Sequence, residues 1–438
     1  MAELSETNNI SHPILFNVNT GKLLLFFMIA FPVVIDLLNG FITFFIGLDF
    51  SIGVLYRGLI FFCALPVFIL QKDKFWKIYI AIITGLWVLS SVIWAGSGML
   101  QLTKEVMIFI KMIYPFMILP LLFYIVKKYK IDIEYVIICS VTYSAIAGAS
   151  IIFSLISGLG IEFSASKYSF GAKSFFVAQN DIGLSMLIGY TLSLYLFFKK
   201  FTFRYFFSTL MIMAGLIGLS TRTGIMGALG VFLFLMFAIM FYGKRSMKIG
   251  YFTKVVIFSF FVVALAIGTV KVIQLVSEYE YMLTKFQALT YEHPRQNLTQ
   301  AAYNRIEGRH WIYNVFGEGM THFKLEVGNR LIGAFDVSEQ GQPVEVDYLD
   351  LMGNYGLIMA LIILMFPILL FFKILYRFIL NRNFQDLIFL ICISLFLVHS
   401  TLAGHAIISP LVATNMVVVY LYILHRKTFT TEQKAVIA

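Results

Sequence analysis

Two arginines four residues apart occur in the stretch QAAYNRIEGRHWIYNVF, residues 300–316. If this stretch is helical, the side chains of Arg305 and Arg309 lie on one face and repel each other. An anionic group between them would convert that repulsion into binding, because the planar guanidinium group matches the oxygens of a phosphate. The alternative is a solvated helix face on which Glu307 is the local counter-ion.

Three carboxylic acids lie close together in the sequence EVDYLDLMGNYGLIM, at the start of an apolar run. Glu345 and Asp347 are two residues apart and so do not share a helical face. One acid can therefore point into a cavity while another, such as Asp350, caps the start of the helix, where the dipole favours an anion. A carboxylate in a partly dry environment can serve as a general base. Capping and catalysis are both open for each acid.

A further arginine, Arg222, lies in the short turn STRTG between two apolar runs. An arginine at such a boundary is rare unless its side chain snorkels to the interface or binds an anion. The neighbouring hydroxyls and amides of Ser220, Thr221, Thr223 and Gly224 can add ligands for an anion. The turn therefore predicts a second anion-binding element, with snorkelling as the alternative.

Weaker signals come from single polar residues. Asn180 opens an apolar run and either caps a helix or contacts a sugar. Lys173 is either solvated or a further cation of the site, and His310 is either a core or interface histidine or an acid–base or substrate-contacting group. Asp36 and Lys111 lie inside apolar runs, where a charge has to be paired or face a cavity.

The elements that must position these residues are membrane helices. Of the 438 residues 60% are hydrophobic and 13% are charged, and the mean hydropathy is +0.87. Soluble proteins are about 45–50% apolar and about 25% charged. The basic residues that give the net charge of +10 lie in short clusters between apolar runs. Such clusters are typical of cytoplasmic loop ends and not of a nucleic-acid-binding face.

The apolar runs predict an all-α polytopic membrane protein with about twelve transmembrane helices. We place the spans at residues 23–46, 54–70, 75–95, 105–126, 134–157, 181–198, 204–219, 223–242, 252–275, 346–372, 384–398 and 404–424. With the N-terminus inside, the cytoplasmic connections and termini hold 20 of the 33 Lys and Arg residues, as the positive-inside rule requires. Both termini are then cytoplasmic.

This topology divides the chain into three parts. Residues 1–275 hold the first nine helices, and residues 276–345 form a large external or periplasmic loop with an amphipathic helix. Residues 346–438 hold the last three helices and the cytoplasmic C-terminus. A loop of that length is usually functional, so we expect the chemistry at the outer face.

Three stretches carry a resemblance when taken together: GAKSFFVAQNDIG (171–183), STRTGIMG (220–227), and a run from Arg305–Trp311 through GEG (317–319) to EVDYLDLMGNYGLIM (345–359). In order and spacing they resemble the O-antigen ligase/polymerase superfamily of bacterial membrane proteins. In the ligase branch a histidine stands where this chain has Glu345, whereas many polymerases of the group carry an acid there. The resemblance therefore implies a Wzy-type polysaccharide polymerase with a GT-C-like fold in the bacterial cytoplasmic membrane.

That resemblance implies a reaction that joins undecaprenyl-pyrophosphate-linked oligosaccharide repeat units, with no nucleotide sugar, metal or other cofactor. It implies that Arg222, Arg305 and Arg309 bind the pyrophosphate. Glu345, with Asp347 second, would deprotonate the acceptor hydroxyl. Further substrate contacts are expected from Lys173, Asn180, His310 and Asp350. The implied partners are membrane lipid and, in the same pathway, a chain-length regulator and a flippase.

Two other functions fit the same features less well. A ligase would transfer the finished glycan to lipid A-core or to protein. A transporter or flippase for the lipid-linked glycan would need polar residues spread through many spans and internal repeats, whereas most of the unusual charges here gather at one boundary.

Overall fold

The computed structural model describes residues 18–47, 52–70, 74–161, 171–246, 259, 294–330 and 344–437. The secondary structure of these residues is helical, without strands. The helices are α1 (Val18–Ile46), α2 (Ile52–Leu70), α3 (Lys74–Gly96), α4 (Leu102–Lys128), α5 (Ile133–Ser157), α6 (Gln179–Lys199), α7 (Phe203–Gly218), α8 (Arg222–Ser246), α9 (Pro294–Gly308), α10 (Trp311–Phe316), α11 (Met320–Asn329), α12 (Asp347–Asn381), α13 (Phe384–Leu402) and α14 (Pro410–Ile437).

The described helices confirm an all-α polytopic membrane protein. Eight of them are long and apolar enough to cross a membrane, and α7, α8 and α14 contain shorter apolar stretches. Eleven of the twelve predicted spans coincide with a helix, and the ninth, 252–275, lies outside the described residues apart from one position. The start predicted for the last span, residue 404, is wrong, because α14 begins at Pro410.

The helix α6 forms the centre of the bundle. It packs against α5, α7, α8, α13 and α14 and is almost completely buried. Small residues let its neighbours approach each other closely, as is common between membrane helices. At the crossing of α5 and α7, a Cβ added to Gly215 would collide with the backbone of Gly148.

A buried polar network ties three of these helices together. The side-chain amide of Asn415 in α14 donates to the hydroxyl of Ser144 in α5 (3.2 Å) and to the backbone oxygen of Ser185 in α6 (2.8 Å). The hydroxyl of Ser140 donates to the Asn415 oxygen at 2.6 Å. These bonds fix the register of α5, α6 and α14 relative to one another.

The helices α4, α6, α8 and α12 begin at the same end of the bundle, which we call the upper end. The Gln179 side chain, at the start of α6, donates to the carbonyl of Leu219 between α7 and α8 (2.8 Å). Near this end Asp36 in α1 pairs with Arg57 in α2 at 2.7 Å, which confirms the expectation that Asp36 is paired. The candidate site residues lie at the upper end.

The helix α12 is broken near its start. Gly356 has φ 78° and ψ 173°, outside the helical region, and a Cβ there would collide with the carbonyl of Val315. The segment between α10 and α11 packs into this break, where the amide of Glu318 donates to the carbonyl of Gly353 (3.1 Å) and that of Gly319 to the carbonyl of Asn354 (2.9 Å). The segment that holds α10 and α11 is therefore joined to the bundle through α12.

Candidate functional site

The turn between α13 and α14 is held by Asp347, the first residue of α12. One carboxylate oxygen of Asp347 accepts hydrogen bonds from the backbone amides of Ala406 (3.0 Å) and Ile407 (3.1 Å). The side chain is buried, and the Ser400 hydroxyl faces it. These contacts are those of a structural residue that fixes the turn at residues 403–409.

The neighbouring acid, Glu345, has a different environment. It remains partly exposed, whereas Asp347 and Asp350 are buried. Its backbone adopts the left-handed conformation, with φ 61°, and packs directly against Gly404, which has φ 64°. The side chain lies within electrostatic range of Asp181 at the start of α6. Of the three acids in this segment, Glu345 is therefore the only one that is not buried.

The acid Asp350 holds the segment that carries Glu345. One of its carboxylate oxygens accepts from the amide of Val344 at 3.2 Å, and the carboxylate also interacts with the amides of Glu345 and Val346. These amides belong to residues that precede α12, whereas Asp350 lies inside it. Asp350 therefore caps the start of its own helix. Asp350 therefore positions Glu345.

Replacing Gly404 by alanine is expected to displace Glu345. A Cβ at this position would collide with the Glu345 backbone, and the left-handed φ costs a non-glycine residue about 1–3 kcal/mol. We expect a lower midpoint of thermal unfolding for the purified variant. Gly230→Ala is the matched control, since nothing lies within 4 Å of its Cβ. Equal behaviour of the two variants would contradict the contact.

The segment that leads into α6 packs on the turn between α7 and α8, so two of the three motifs meet. The amide of Ala172 donates to the carbonyl of Gly218 at 3.0 Å. The Thr221 hydroxyl accepts from the amide of Gly224 at 3.0 Å and caps α8. Arg222 is the first residue of α8, and its side chain lies outside the described part of the structure. Its role in binding pyrophosphate stays a prediction.

Three weaker candidates occupy different positions. Lys173 is partly exposed and lies beside the turn between α7 and α8, and Asn180 lies in the first turn of α6. His310 is exposed, so it is not a core histidine, and its Nδ1 caps α10 by accepting from the amide of Ile312 at 3.4 Å. Their contact with substrate stays a prediction.

The expected pair of arginines on one helix face is not what the structure shows. The helix α9 ends at Gly308, so Arg305 lies in it and Arg309 lies beyond it. Arg305 forms a two-point ion pair with Glu318, whose side chain is 0% exposed, with Nε–Oε2 3.1 Å and Nη2–Oε1 3.0 Å. Its Nη1 contacts Glu326 at 3.1 Å. The three nitrogens of Arg305 are thus engaged by protein carboxylates.

The guanidinium group of Arg309 binds backbone carbonyls next to the break in α12. It is buried and donates to the carbonyls of Met352 and Gly353, both at 3.0 Å, and to the Asn314 side chain at 2.7 Å. Burial lowers the pKa of Arg309 to about 10, so the group stays charged at neutral pH. Arg309 satisfies carbonyls that the break leaves without helical partners.

Two buried or partly buried residues in this region were not predicted from the sequence. Glu105, at the start of α4, is buried and accepts from the amide (2.9 Å) and the hydroxyl (3.0 Å) of Thr321 in α11. Lys324, one turn further along α11, lies within electrostatic range of Asp350, Lys111 and Glu105. The pKa of the Lys324 ammonium is lowered, and burial is the largest cause of this shift. Local sequence offered no signal for either residue, because both are brought in by the packing of α11 on α4.

Lys111 in α4, expected to be paired or to face a cavity, lies within electrostatic range of Asp181 and Arg57. The upper end thus combines the cations Lys111 and Lys324 with the acids Asp181, Glu345 and Asp350. In the part of the chain that the structure describes, no group of three His, Cys, Asp or Glu side chains could hold a metal ion. The arrangement places one partly exposed carboxylate, that of Glu345, at the same end of the bundle as these two cations.

In a comparison with protein families, the model described as O-antigen ligase like membrane protein matches residues 18–306. This range contains the stretches 171–183 and 220–227 and ends one residue after Arg305. The acids at 345–350 lie beyond it. No curated protein matches the chain.

Proposed function

Because the chain belongs to the O-antigen ligase-like membrane protein family, we propose that it is a polymerase that joins lipid-linked oligosaccharide repeat units into a longer glycan. The family supports a membrane enzyme that processes glycans, of the glycosyltransferase or ligase kind. The finer proposal is a donor linked to undecaprenyl pyrophosphate, used at the outer face of the bacterial cytoplasmic membrane. Both termini would then lie in the cytoplasm.

In the proposed reaction the carboxylate of Glu345 accepts the proton of an acceptor hydroxyl. The hydroxyl oxygen attacks the anomeric carbon of the donor sugar and forms the new glycosidic bond. The bond between that carbon and the phosphate oxygen breaks, and the lipid pyrophosphate leaves with the electron pair. Fixed positive charge stabilises the departing anion, which is commonly a large contribution to catalysis.

The observation that carries this proposal is the environment of Glu345. It is a partly exposed acid on a strained backbone, positioned by the buried Asp350 and by the turn that Asp347 anchors. Strained residues persist where the surrounding structure over-determines them, and they cluster at active sites. An acid at this position, where the ligase branch has histidine, favours the polymerase over the ligase.

Reconstitution tests the proposal directly. The purified protein, in vesicles with its lipid-pyrophosphate-linked repeat unit and without nucleotide sugar, is expected to produce a ladder of lengthening glycans on a gel. Glu345→Gln under the same conditions is the control and should leave the repeat unit unextended.

Other outcomes would identify the alternatives. No ladder, but transfer of glycan to added lipid A-core or protein, would overturn the polymerase and establish a ligase. No covalent product, but movement of the repeat unit between the leaflets of the vesicle, would establish a transporter.

A further inference from the structure

The turn between α13 and α14 touches the segment of Glu345 backbone to backbone. A Cβ added to Gly404 would lie 2.2 Å from the carbonyl carbon and 2.6 Å from the Cα of Glu345. His405 follows Gly404 in the chain, so the Cα atoms of these two residues are about 3.8 Å apart. An imidazole and a carboxylate that are remote in the sequence are thereby carried by neighbouring parts of the backbone.

Both of these side chains are partly exposed, whereas the residues next to them are buried. Within residues 403–407 only His405 is partly exposed, and within residues 344–347 only Glu345 is. The remaining residues of both segments lie in the protein interior. The contact between the segments therefore brings together the one exposed position of each.

The backbone of His405 is strained in a way that the end of α13 does not require. That helix ends in a common cap, in which the amides of Ala403 (2.8 Å) and Gly404 (3.0 Å) donate to the carbonyl of His399. Gly404 takes the left-handed φ of 64° that such a cap uses. His405 is left-handed as well, with φ 61°, although it carries a Cβ and lies beyond the cap. Strained residues of this kind cluster at active sites and ligand-binding sites.

The residues on either side of His405 are anchored. Before it, Gly404 packs on the segment that leads into α12. After it, the amides of Ala406 (3.0 Å) and Ile407 (3.1 Å) donate to the carboxylate of Asp347. A residue whose backbone is fixed on both sides loses little freedom when its side chain binds a ligand.

The side-chain types at this contact suit hydroxyl groups. Three acids adjoin the turn or its neighbours, Glu345, Asp347 and Asp181, and Lys111 lies within electrostatic range of Asp181. The excess of acids favours the protonated form of the His405 imidazole, which donates through both nitrogens, whereas a carboxylate only accepts. A donor beside an acceptor matches neighbouring hydroxyls of a sugar, because each hydroxyl both donates and accepts.

We propose that Glu345 and His405 form one site that binds the hydroxyl groups of a sugar. This proposal rests on the proposed function and adds a residue to it. The carboxylate takes the proton of the attacking hydroxyl, and the imidazole of His405 donates a hydrogen bond to another hydroxyl of the same acceptor sugar. The second contact fixes the orientation of the sugar towards Glu345.

Kinetics of the reconstituted full-length protein with its lipid-pyrophosphate-linked repeat unit test the role of His405. His405→Gly removes the imidazole and relieves the left-handed strain, so the unfolding temperature should stay close to that of the wild type. We expect kcat/KM for joining to fall by about tenfold or more, because a hydrogen bond from a charged group is lost. His405→Asn tolerates the same backbone, keeps a donor and should recover part of this loss.

His322→Ala is the matched control, because His322 is a partly exposed histidine of α11 outside the site. It should stay within about twofold of the wild-type kcat/KM. A purely structural role for His405 would instead leave the stable His405→Gly variant as active as the wild type.

A second measurement is made without substrate and leaves His405 in place. Diethyl pyrocarbonate modifies neutral imidazoles, and mass spectrometry follows the modification of each histidine at pH 6. In Glu345→Gln the loss of the neighbouring carboxylate lowers the protonated fraction of His405, which should react about threefold faster or more than in the wild type. His322 is the internal reference and should react at the same rate in both proteins. An equal rate for His405 in the two proteins would overturn the proposed pair.

The two proposals fail in distinguishable ways. Faster modification of His405 in Glu345→Gln, without a glycan ladder from the wild type, would retain the pair and reject the polymerase. A normal ladder from His405→Gly, while Glu345→Gln gives none, would retain the polymerase and reject the role of His405.

Discussion

Replacing Glu345 by glutamine is expected to slow the proposed joining of glycan repeat units by about 10²–10⁴-fold, the usual contribution of a general base. Glutamine keeps the shape of the side chain and can occupy the same left-handed backbone, but it cannot accept the proton. The amount of protein in the membrane and its unfolding temperature should stay at the wild-type values. The rate of ladder formation in reconstituted vesicles measures the effect.

The matched control is Asp347→Asn. Asparagine still offers an oxygen to the amides of Ala406 and Ile407, and the side chain at this position is buried. We therefore expect this variant to retain activity. An active Glu345→Gln together with an inactive Asp347→Asn would transfer the role of the base to Asp347.

Removing Arg305 is expected to destabilise the protein. Arg305→Met leaves the fully buried carboxylate of Glu318 without its partner, and breaking a buried ion pair in this way costs about 3–5 kcal/mol. Glu318→Met should cost a similar amount, whereas the double variant should lose less than the sum of the two. Unfolding of the purified variants under identical conditions measures the coupling.

Glu326→Gln is the control for this cycle, because Glu326 is 30% exposed and pairs with the same arginine. An exposed pair contributes about 0–1 kcal/mol, so this variant should be nearly as stable as the wild type. A stable but inactive Arg305→Met would instead support the sequence-based prediction that Arg305 binds pyrophosphate.

The membrane helices could be predicted from the sequence because lipid exposure forces long apolar runs. The span predicted at 134–157 is observed as Ile133–Ser157, and that at 54–70 as Ile52–Leu70. The start of the last helix was missed because residues 403–409 are apolar but wrap around Asp347. Hydropathy cannot distinguish a buried turn from a helix when both exclude water.

The site was predictable only in part. Glu345 and Asp350 could be predicted as candidates because acids at the edge of an apolar run are unusual, and their roles in the reaction stay predictions. Lys324 gives no such local signal, because it lies in a mixed polar stretch of the sequence. Its position in the fold is set by the packing of α11 on α4. The prediction that Arg305 and Arg309 share one helix face was wrong. It assumed one continuous helix, whereas α9 ends at Gly308.

The break at Gly356 changes how α12 can be inserted into a bilayer. Residues 357–381 alone are roughly 37 Å long as a helix, which exceeds the hydrocarbon thickness of about 30 Å. The turns before the break therefore need not enter lipid. Asp347 and Asp350 thereby avoid the free-energy cost of placing an acid at the membrane centre, which is about 2.5–3.5 kcal/mol for each residue. The insertion machinery can recognise the apolar segment after Gly356, while the acids remain in a protein-lined layer above it.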